Sequence, residues 1–276
     1  MRKIMKCTVE LICVGNELLI GKILNKNAQW LCKEITKAGG KVIKETTVSD
    51  DVDEIALAVK EALKRKSDFI LTSGGLGSTP DDLTLKGVAK ALKKPLKLNR
   101  EALLFLKEKY SSLSDEEKIK LNKARIKMAI LPEGSIPLRN PTGTAPAVLI
   151  KHKATSIICL PGVPKELKAI FKREVLKLIL EKTCGKKFFE ESIMIRGVFE
   201  SEISSLINKF KQKHPEVYLK SHPRGGKKIG ESTLELHFST FSLNEKEGKE
   251  KILAAIVTFI KMLMGLGRSR TRVKNH

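Results

Sequence analysis

Aromatic side chains are scarce in this chain, with one Trp, two Tyr and ten Phe among 276 residues. A surface that reads nucleic acid by stacking interleaves aromatics with cations, and most of the lysines here stand without them. Acidic residues are also outnumbered, 31 Asp and Glu against 53 Lys and Arg, leaving a formal net charge of +22. The lysines of 60–66 and 86–97 are spread through helical stretches, as on a solvated helix face. A nucleic-acid partner therefore stays open but is not favoured. The exception is the tail 267–276, where Arg268, Arg270, Arg272 and Lys274 have no acid nearby and disorder is expected. The five cysteines, at 7, 13, 32, 159 and 184, are odd in number and form no C-x-x-C pair, which excludes the common zinc patterns and a paired disulfide framework. Cys13 and Cys159 sit in apolar runs as small hydrophobes, and a reducing, cytoplasmic location is expected. No long hydrophobic run is present: 252–266 is the most apolar stretch, too short for a bilayer and interrupted by Lys261. No secretory leader and no membrane partner are expected, since residues 1–6 lead directly into a strand. Nothing reads G-x-x-x-x-G-K-[ST], and Gly15 and Gly21 are too far apart for a dinucleotide fingerprint. Internal repeats and low-complexity segments are missing as well.

What is present centres on residues 67–84, SDFILTSGGLGSTPDDLT. Residues 68–72 have the length and apolar character of a buried parallel strand. They run into Ser73-Gly74-Gly75-Leu76-Gly77-Ser78-Thr79-Pro80, where three glycines and a proline forbid both helix and continued strand. Asp81, Asp82 and Thr84 then precede an amphipathic helix over 85–92. Glycines let a backbone approach a ligand, so unpaired N–H groups can face phosphate oxygens. A carboxylate beside phosphate repels it unless a divalent cation lies between, so Asp82, Asp81 or both are candidate metal ligands. An ordinary turn with Asp81 or Asp82 as a helix N-cap is the plainer alternative.

These residues carry a resemblance. Thr72-Ser73-Gly74-Gly75-Leu76-Gly77 with Pro80-Asp81-Asp82-Leu83-Thr84 resembles the signature of the molybdopterin-binding (MoCF) fold, and more narrowly the N-terminal part of CinA proteins. Three further stretches are similar in kind and order: Val14-Gly15-Asn16-Glu17-Leu18-Leu19 with Gly21 through Asn27-Ala28, Asn140-Pro141-Thr142-Gly143-Thr144-Ala145-Pro146, and Leu160-Pro161-Gly162-Val163-Pro164.

The remaining pattern frames these motifs. A strand over 8–14, a helix over 23–38, a strand over 41–48 and a helix over 52–64 lead into the central strand. This βαβαβ alternation predicts a three-layer α/β/α fold with a mainly parallel sheet, in which ligands bind beyond the carboxyl ends of the strands. Asn16 and Glu17 follow the first strand, Asp50 the second, and Asp81 and Asp82 the third, so three strand ends deliver carboxylates to one rim. Isolated, Asp50 would read as a helix N-cap. Residues 99–122 read as helix broken at Ser111-Ser112, with a fresh cap at Ser114, and are expected to form an insertion or lid over the site. Strands over 147–151 and 156–160 and a helix from Pro164 to about 182 complete a domain spanning 1–184. After a linker at 184–187, strands at 192–196, 216–221 and 232–239 and helices at 201–211 and 245–263 follow in β-α-β-β-α order. This smaller α+β domain, 188–266, resembles the KH-like domain of CinA proteins, although the G-x-x-G loop of RNA-binding KH domains is absent between its helices.

The CinA resemblance implies divalent-metal-dependent hydrolysis of a nucleotide diphosphate such as ADP-ribose, with Mg²⁺, Mn²⁺ or Co²⁺ as cofactor. Glu17, Asp50 and Asp82 are the candidate catalytic residues, and Asp82 and Asp81 the candidate metal ligands. Ligand binding falls to Gly15, Asn16, Ser73, Gly74, Gly75, Leu76, Gly77, Thr79, Asp81 and Thr84, and, through the resemblance, to Asn140, Gly143, Thr144, Ala145, Pro161 and Gly162. The broader MoCF resemblance implies the alternative, molybdopterin binding or nucleotidyl transfer in molybdenum cofactor biosynthesis. Either way the partner is a small nucleotide or pterin phosphate, and the resemblance implies a homo-oligomer. The nicotinamide mononucleotide deamidase domain of full-length CinA proteins has no counterpart here, so that activity is not expected.

Overall fold

The computed structural model describes residues 7–111, 121–225, 232–265 and 273–275. The chain divides into two units, Met1–Thr183 and Cys184–His276.

In the first unit, β1 (Thr8–Val14) leads through a single-turn helix α1 (Asn16–Leu19) into α2 (Lys26–Lys37). Then come β2 (Lys41–Val48), α3 (Val52–Lys64), β3 (Phe69–Ser73) and α4 (Thr84–Leu92). The short strand β4 (Leu96–Leu98) and α5 (Arg100–Ser111) follow, then α6 (Lys123–Lys127), β5 (Ile130–Pro132) and β6 (Ile136–Leu138). Strands β7 (Ala147–His152) and β8 (Thr155–Leu160) precede α7 (Pro164–Ile170), which continues through a π-helical turn at Phe171–Val175 into α8 (Leu176–Thr183).

Six strands form one sheet in the order β2-β1-β3-β8-β7-β6. The first four are mutually parallel, β7 runs antiparallel to β8, and β6, antiparallel to β7, runs with the first four. Alternation along the strands builds two cores. Ile12, Val14, Ile70, Val148, Ile150 and Cys159 face α3, α4 and α5, whereas Val9, Leu11, Leu71, Leu149, Ile158 and Leu160 face α2, α7 and α8. Burying each such side chain stabilises the fold by roughly 1.5–3 kcal/mol, and the sheet between two helical layers gives the expected α/β/α stack.

Charge closes the end of the sheet away from the strands' carboxyl termini. Glu10, 2 % exposed, takes a bidentate clasp from Arg65 (Nη2–Oε2 2.7 Å, Nε–Oε1 3.0 Å) and a hydrogen bond from the Ser67 hydroxyl (2.5 Å). Asp68 accepts the Thr8 N–H (2.8 Å) and pairs with Lys182 (3.0 Å). At the edge of the sheet, β2 exposes Lys41, Ile43, Lys44 and Glu45.

Several boundaries differ from expectation. Residues 23–25 are not helical: Asn25 is the N-cap of α2, its side chain accepting the Ala28 N–H at 3.1 Å. The central strand lies one residue later than 68–72. Residues 99–111 form no lid; α5 turns Ala102 and Leu106 into the core, and the part of the expected lid around Ser114 lies outside the described residues.

The second unit comprises β9 (Lys187–Arg196), α9 (Glu200–Lys213), β10 (Tyr218–Gly225), β11 (Thr233–Ser242), α10 (Glu245–Met264) and β12 (Val273–Asn275). Its antiparallel sheet has the order β10-β11-β9-β12. The expected β-α-β-β-α order gains a final strand, giving the split β-α-β arrangement in which β11 lies between the strands joined through α9. Two corrections follow. Lys187, expected in a linker, begins β9, and residues 273–275, expected in a disordered tail, pair with β9. Residues 226–228, expected in the hairpin turn, lie outside the described residues.

The thiols match their surroundings. Burial pushes Cys7 and Cys159 up to about 12 and Cys13 up to about 11, while Cys184 is exposed. Native-state alkylation with iodoacetamide at mildly alkaline pH is expected to modify Cys184 and to spare Cys7, Cys13 and Cys159 until urea is added. Peptide mass mapping reads this directly, and modification of native Cys159 at the rate of Cys184 would contradict the buried placement.

Candidate functional site

The carboxyl ends of β1, β3 and β8 open onto a cleft of about 530 Å³. Its floor is the glycine loop after β3. Gly74 (φ +111°) donates its N–H to Leu160 O (3.0 Å), tying the loop to the end of β8; an added Cβ there would lie 2.2 Å from Val14 O. Gly75 (φ +66°) is pressed equally close to Thr84. Only glycine permits this backbone path. The N–H groups of Gly75, Leu76, Gly77 and Ser78 donate to no protein group among the described residues, leaving a run of free donors along the loop.

The acidic turn completes the loop. Asp82 Oδ2 accepts the Thr79 N–H (2.8 Å) and hydroxyl (2.7 Å), and the Thr79 hydroxyl also reaches Asp81 Oδ1. That hydroxyl, with a smaller contribution from Lys127, holds the Asp81 carboxyl below the usual carboxylate range. Lys127 bonds the Thr79 carbonyl, and burial, reinforced by Lys86, holds its ammonium below the usual lysine value against the pull of Asp82 and Asp81.

On the β1 and β2 side, Asp50 accepts the Asn16 N–H (2.8 Å), pinning the two strand ends together. The N-cap of α3 is the neighbouring Asp51, which accepts from Asp53 (2.8 Å) and Glu54 (3.0 Å). Among the described residues five carboxylates line the cleft, those of Glu17, Asp50, Asp81, Asp82 and Glu166, against one ammonium, that of Lys26. Glu17, Asp50 and Asp82 thus share one cleft, although no three His, Cys, Asp or Glu side chains among the described residues group closely enough to hold a metal ion.

Of the expected ligand-binding residues, Gly15, Ser73, Gly74, Gly75, Leu76, Gly77, Asp81, Thr144, Ala145, Pro161 and Gly162 line the cleft. Five do not, and each supports the wall from behind or beside it. Thr84 is fully buried and donates its hydroxyl to Gly74 O (2.8 Å), so it staples the loop. Asn140, also buried, accepts the Thr142 and Gly143 N–H groups (3.1 and 2.8 Å) and donates to Ala145 O (2.9 Å), shaping the loop 140–146. Gly143 passes so close to the Glu166 carboxyl that a Cβ would lie 2.0 Å from it. Thr79 fixes the acidic turn, and Asn16 contributes its N–H to Asp50.

Sequence reasoning missed Lys26, Asn27 and Glu166. Asn27, at the start of α2, donates to the Ser73 hydroxyl (3.1 Å) and Gly162 O (2.7 Å), joining the β3 and β8 loops, while its Oδ1 is buried without a partner. Glu166, in the first turn of α7, accepts from Asn140 (2.6 Å). Asn27 stands within the stretch that carries the resemblance and was open to recognition; Glu166 gives no local signal.

A mainly parallel α/β sheet with an amide-lined, carboxylate-rimmed cleft at its carboxyl edge has the layout in which α/β proteins take small-molecule ligands. Residues 10–181 match the family model described as a probable molybdopterin binding domain. A protein of Sulfurisphaera tokodaii is 38 % identical over 258 residues, 94 % of this chain and 95 % of its own length. One of Caldivirga maquilingensis is 39 % identical over 246 residues, 89 % of this chain and 92 % of its own. The solved structure of CinA, a protein with unknown function from Thermoplasma acidophilum, superposes with a TM-score of 0.58 at 38 % identity, covering 63 % of this chain and 98 % of that one. The chain belongs to the MoCF family, on its CinA-like branch. No helix among the described residues is long and apolar enough to cross a membrane.

Proposed function

We propose that the cleft binds a phosphate-bearing pterin of the molybdopterin type. The observation that carries this reading is the run of free N–H groups from Gly75 to Ser78 in a cleft at the strand ends, beside the acidic turn. The loop amides would hold phosphate oxygens without carrying a full positive charge, and Ile23 and Leu24, lining the same cleft, offer apolar surface to a heterocycle. The family match supports this reading over the hydrolysis of ADP-ribose expected from the sequence.

Five carboxylates around a phosphate site impose a condition of their own. The residues fit a divalent cation, Mg²⁺, Mn²⁺ or Co²⁺, held by Asp82 and Asp81, since such ions commonly use one or two carboxylates and complete their shell with phosphate and water. A cation bound there supplies neutralisation of phosphate charge and activation of water. Metal-dependent pyrophosphate hydrolysis remains the second reading, favoured by the position of the acidic pair on the same turn as the glycine loop.

Equilibrium binding of a pterin phosphate and of ADP-ribose, each with Mn²⁺ and with chelator, tests the proposal. The pterin compound is expected to bind, and Asp82→Asn to weaken its Mn²⁺-dependent binding about tenfold or more while folding persists, because the amide oxygen still accepts from Thr79. Unchanged binding by the variant would remove Asp82 from the cation's ligands. Release of AMP from ADP-ribose without retention of the pterin compound would give the site to hydrolysis instead.

A further inference from the structure

The second unit has a sheet with one covered face and one open face. Both helices pack on the side of Ile193, Ile195, Leu219, Leu234, Leu236 and Phe238, where Phe210 of α9 and Phe259 of α10 meet edge to face at 5.6 Å. Alternation sends the intervening residues to the opposite side. There Lys220 lies across from His237, and Phe241 across from Phe188.

Two of the chain's few aromatics are exposed on that open side, Tyr218 by 60 % and Phe241 by 41 %. Phe188 buttresses Phe241 at 5.1 Å, which holds the outer ring in place. Tyr218 and Phe241 also wall an open cleft of about 480 Å³ that includes Lys211 and the ring of His214, itself stacked on Phe210 at 5.0 Å. Lys211 and Lys220 make no ion pair among the described residues. The acids here are engaged: Glu235 is paired with Arg224, Glu190 faces His237 Nε2 at 3.6 Å, and Glu216, which lines the cleft, faces His214 Nδ1 at 3.2 Å. The open face thus combines fixed, solvent-facing rings with the ammonium of Lys220, and the cleft bordered by those rings adds that of Lys211 from the end of α9.

We propose that this face binds single-stranded nucleic acid, with a base stacked against Tyr218 and Phe241 and the adjoining phosphates met by Lys211 and Lys220. Every base offers a π-face to such rings, and an antiparallel sheet with both helices behind it presents them flat to an unpaired strand. The charge of +22 adds a sequence-independent attraction. A duplex keeps its bases stacked on one another and gains only the electrostatic part. Stacking and phosphate recognition are common to RNA and DNA, so the proposal covers both.

Fluorescence anisotropy of the full chain with labelled oligo-U, oligo-dT and a duplex, each about 15 nucleotides or base pairs long, is the test. Single strands are expected to bind more tightly than the duplex, and Tyr218→Ala and Phe241→Ala each to weaken them about tenfold, with the circular dichroism spectrum unchanged. Lys211→Gln and Lys220→Gln are each expected to reduce the slope of log affinity against log salt by about one. Replacing Arg268, Arg270 and Arg272 by Gln should leave the preference for single strands intact. Tighter binding of oligo-U assigns the face to RNA, and of oligo-dT to DNA. The proposal is overturned if no single strand binds at low salt, if the double aromatic variant binds as the parent does, or if only the arginine replacements abolish binding.

Discussion

Replacing Gly74 by alanine is expected to cost about 3 kcal/mol of folding stability and to eliminate ligand binding in the strand-end cleft. At φ +111° an L side chain is strained, and the new methyl carbon would sit 2.2 Å from the Val14 carbonyl oxygen. That oxygen cannot retreat cheaply, because Val14 ends a strand paired on one side with β2 and followed on the other by β3. Relief requires the ends of β1 and β3 to separate, which also breaks the Gly74 N–H bond to Leu160 and displaces the free amides downstream. Gly21→Ala is the matched control: its φ is +72°, yet nothing lies within 4 Å of the added carbon, so about 1 kcal/mol is expected. Urea unfolding of the two variants compares them directly. Equal losses would show that the strand ends yield and that the loop is less constrained than its geometry implies.

Arg65→Met is expected to destabilise the first unit by about 3–5 kcal/mol at neutral pH, because it strands the carboxylate of Glu10. Arg65 retains a third of its side-chain exposure, but Glu10 has only 2 %, so the remaining partner cannot turn to water. The Ser67 hydroxyl alone does not satisfy an ionised group there. Adding Glu10→Gln should recover most of the loss at neutral pH, since the amide carries no charge. Chemical denaturation of parent, single and double variants at neutral pH checks this; a double variant no more stable than Arg65→Met would place the cause elsewhere.

The layered fold was legible because its signals are periodic and local. The spans of β1, β2 and α3 follow directly from apolar spacing bounded by turn residues such as Gly39-Gly40 and Ser49-Asp50. The start of α2 was misplaced by treating Ile23 and Leu24 as helical apolar positions. Both are exposed beside the cleft, and the stop signal was Asn25, a residue suited to an N-cap. In the site, the glycine loop was legible because three glycines and a proline within eight residues leave few backbone options. The direction of the polar side chains was not. Thr84 and Asn140 carry functional groups in the right stretches but spend them on the backbone of their own loops, a choice set by tertiary packing. Glu166 reaches the cleft from a helix distant in sequence, and no spacing rule joins it to Asn140.

The outermost position of β2 leaves one row of peptide groups without a neighbouring strand among the described residues, a template onto which another extended chain could add. Lys41, Lys44 and Glu45 project from that border, so an incoming strand would have to shed water from several ions to dock. Growth of fibrils from this rim is thereby disfavoured while the surface beyond the carboxyl tips stays open, and the first unit can keep an uncovered ligand site without an equally open route to aggregation.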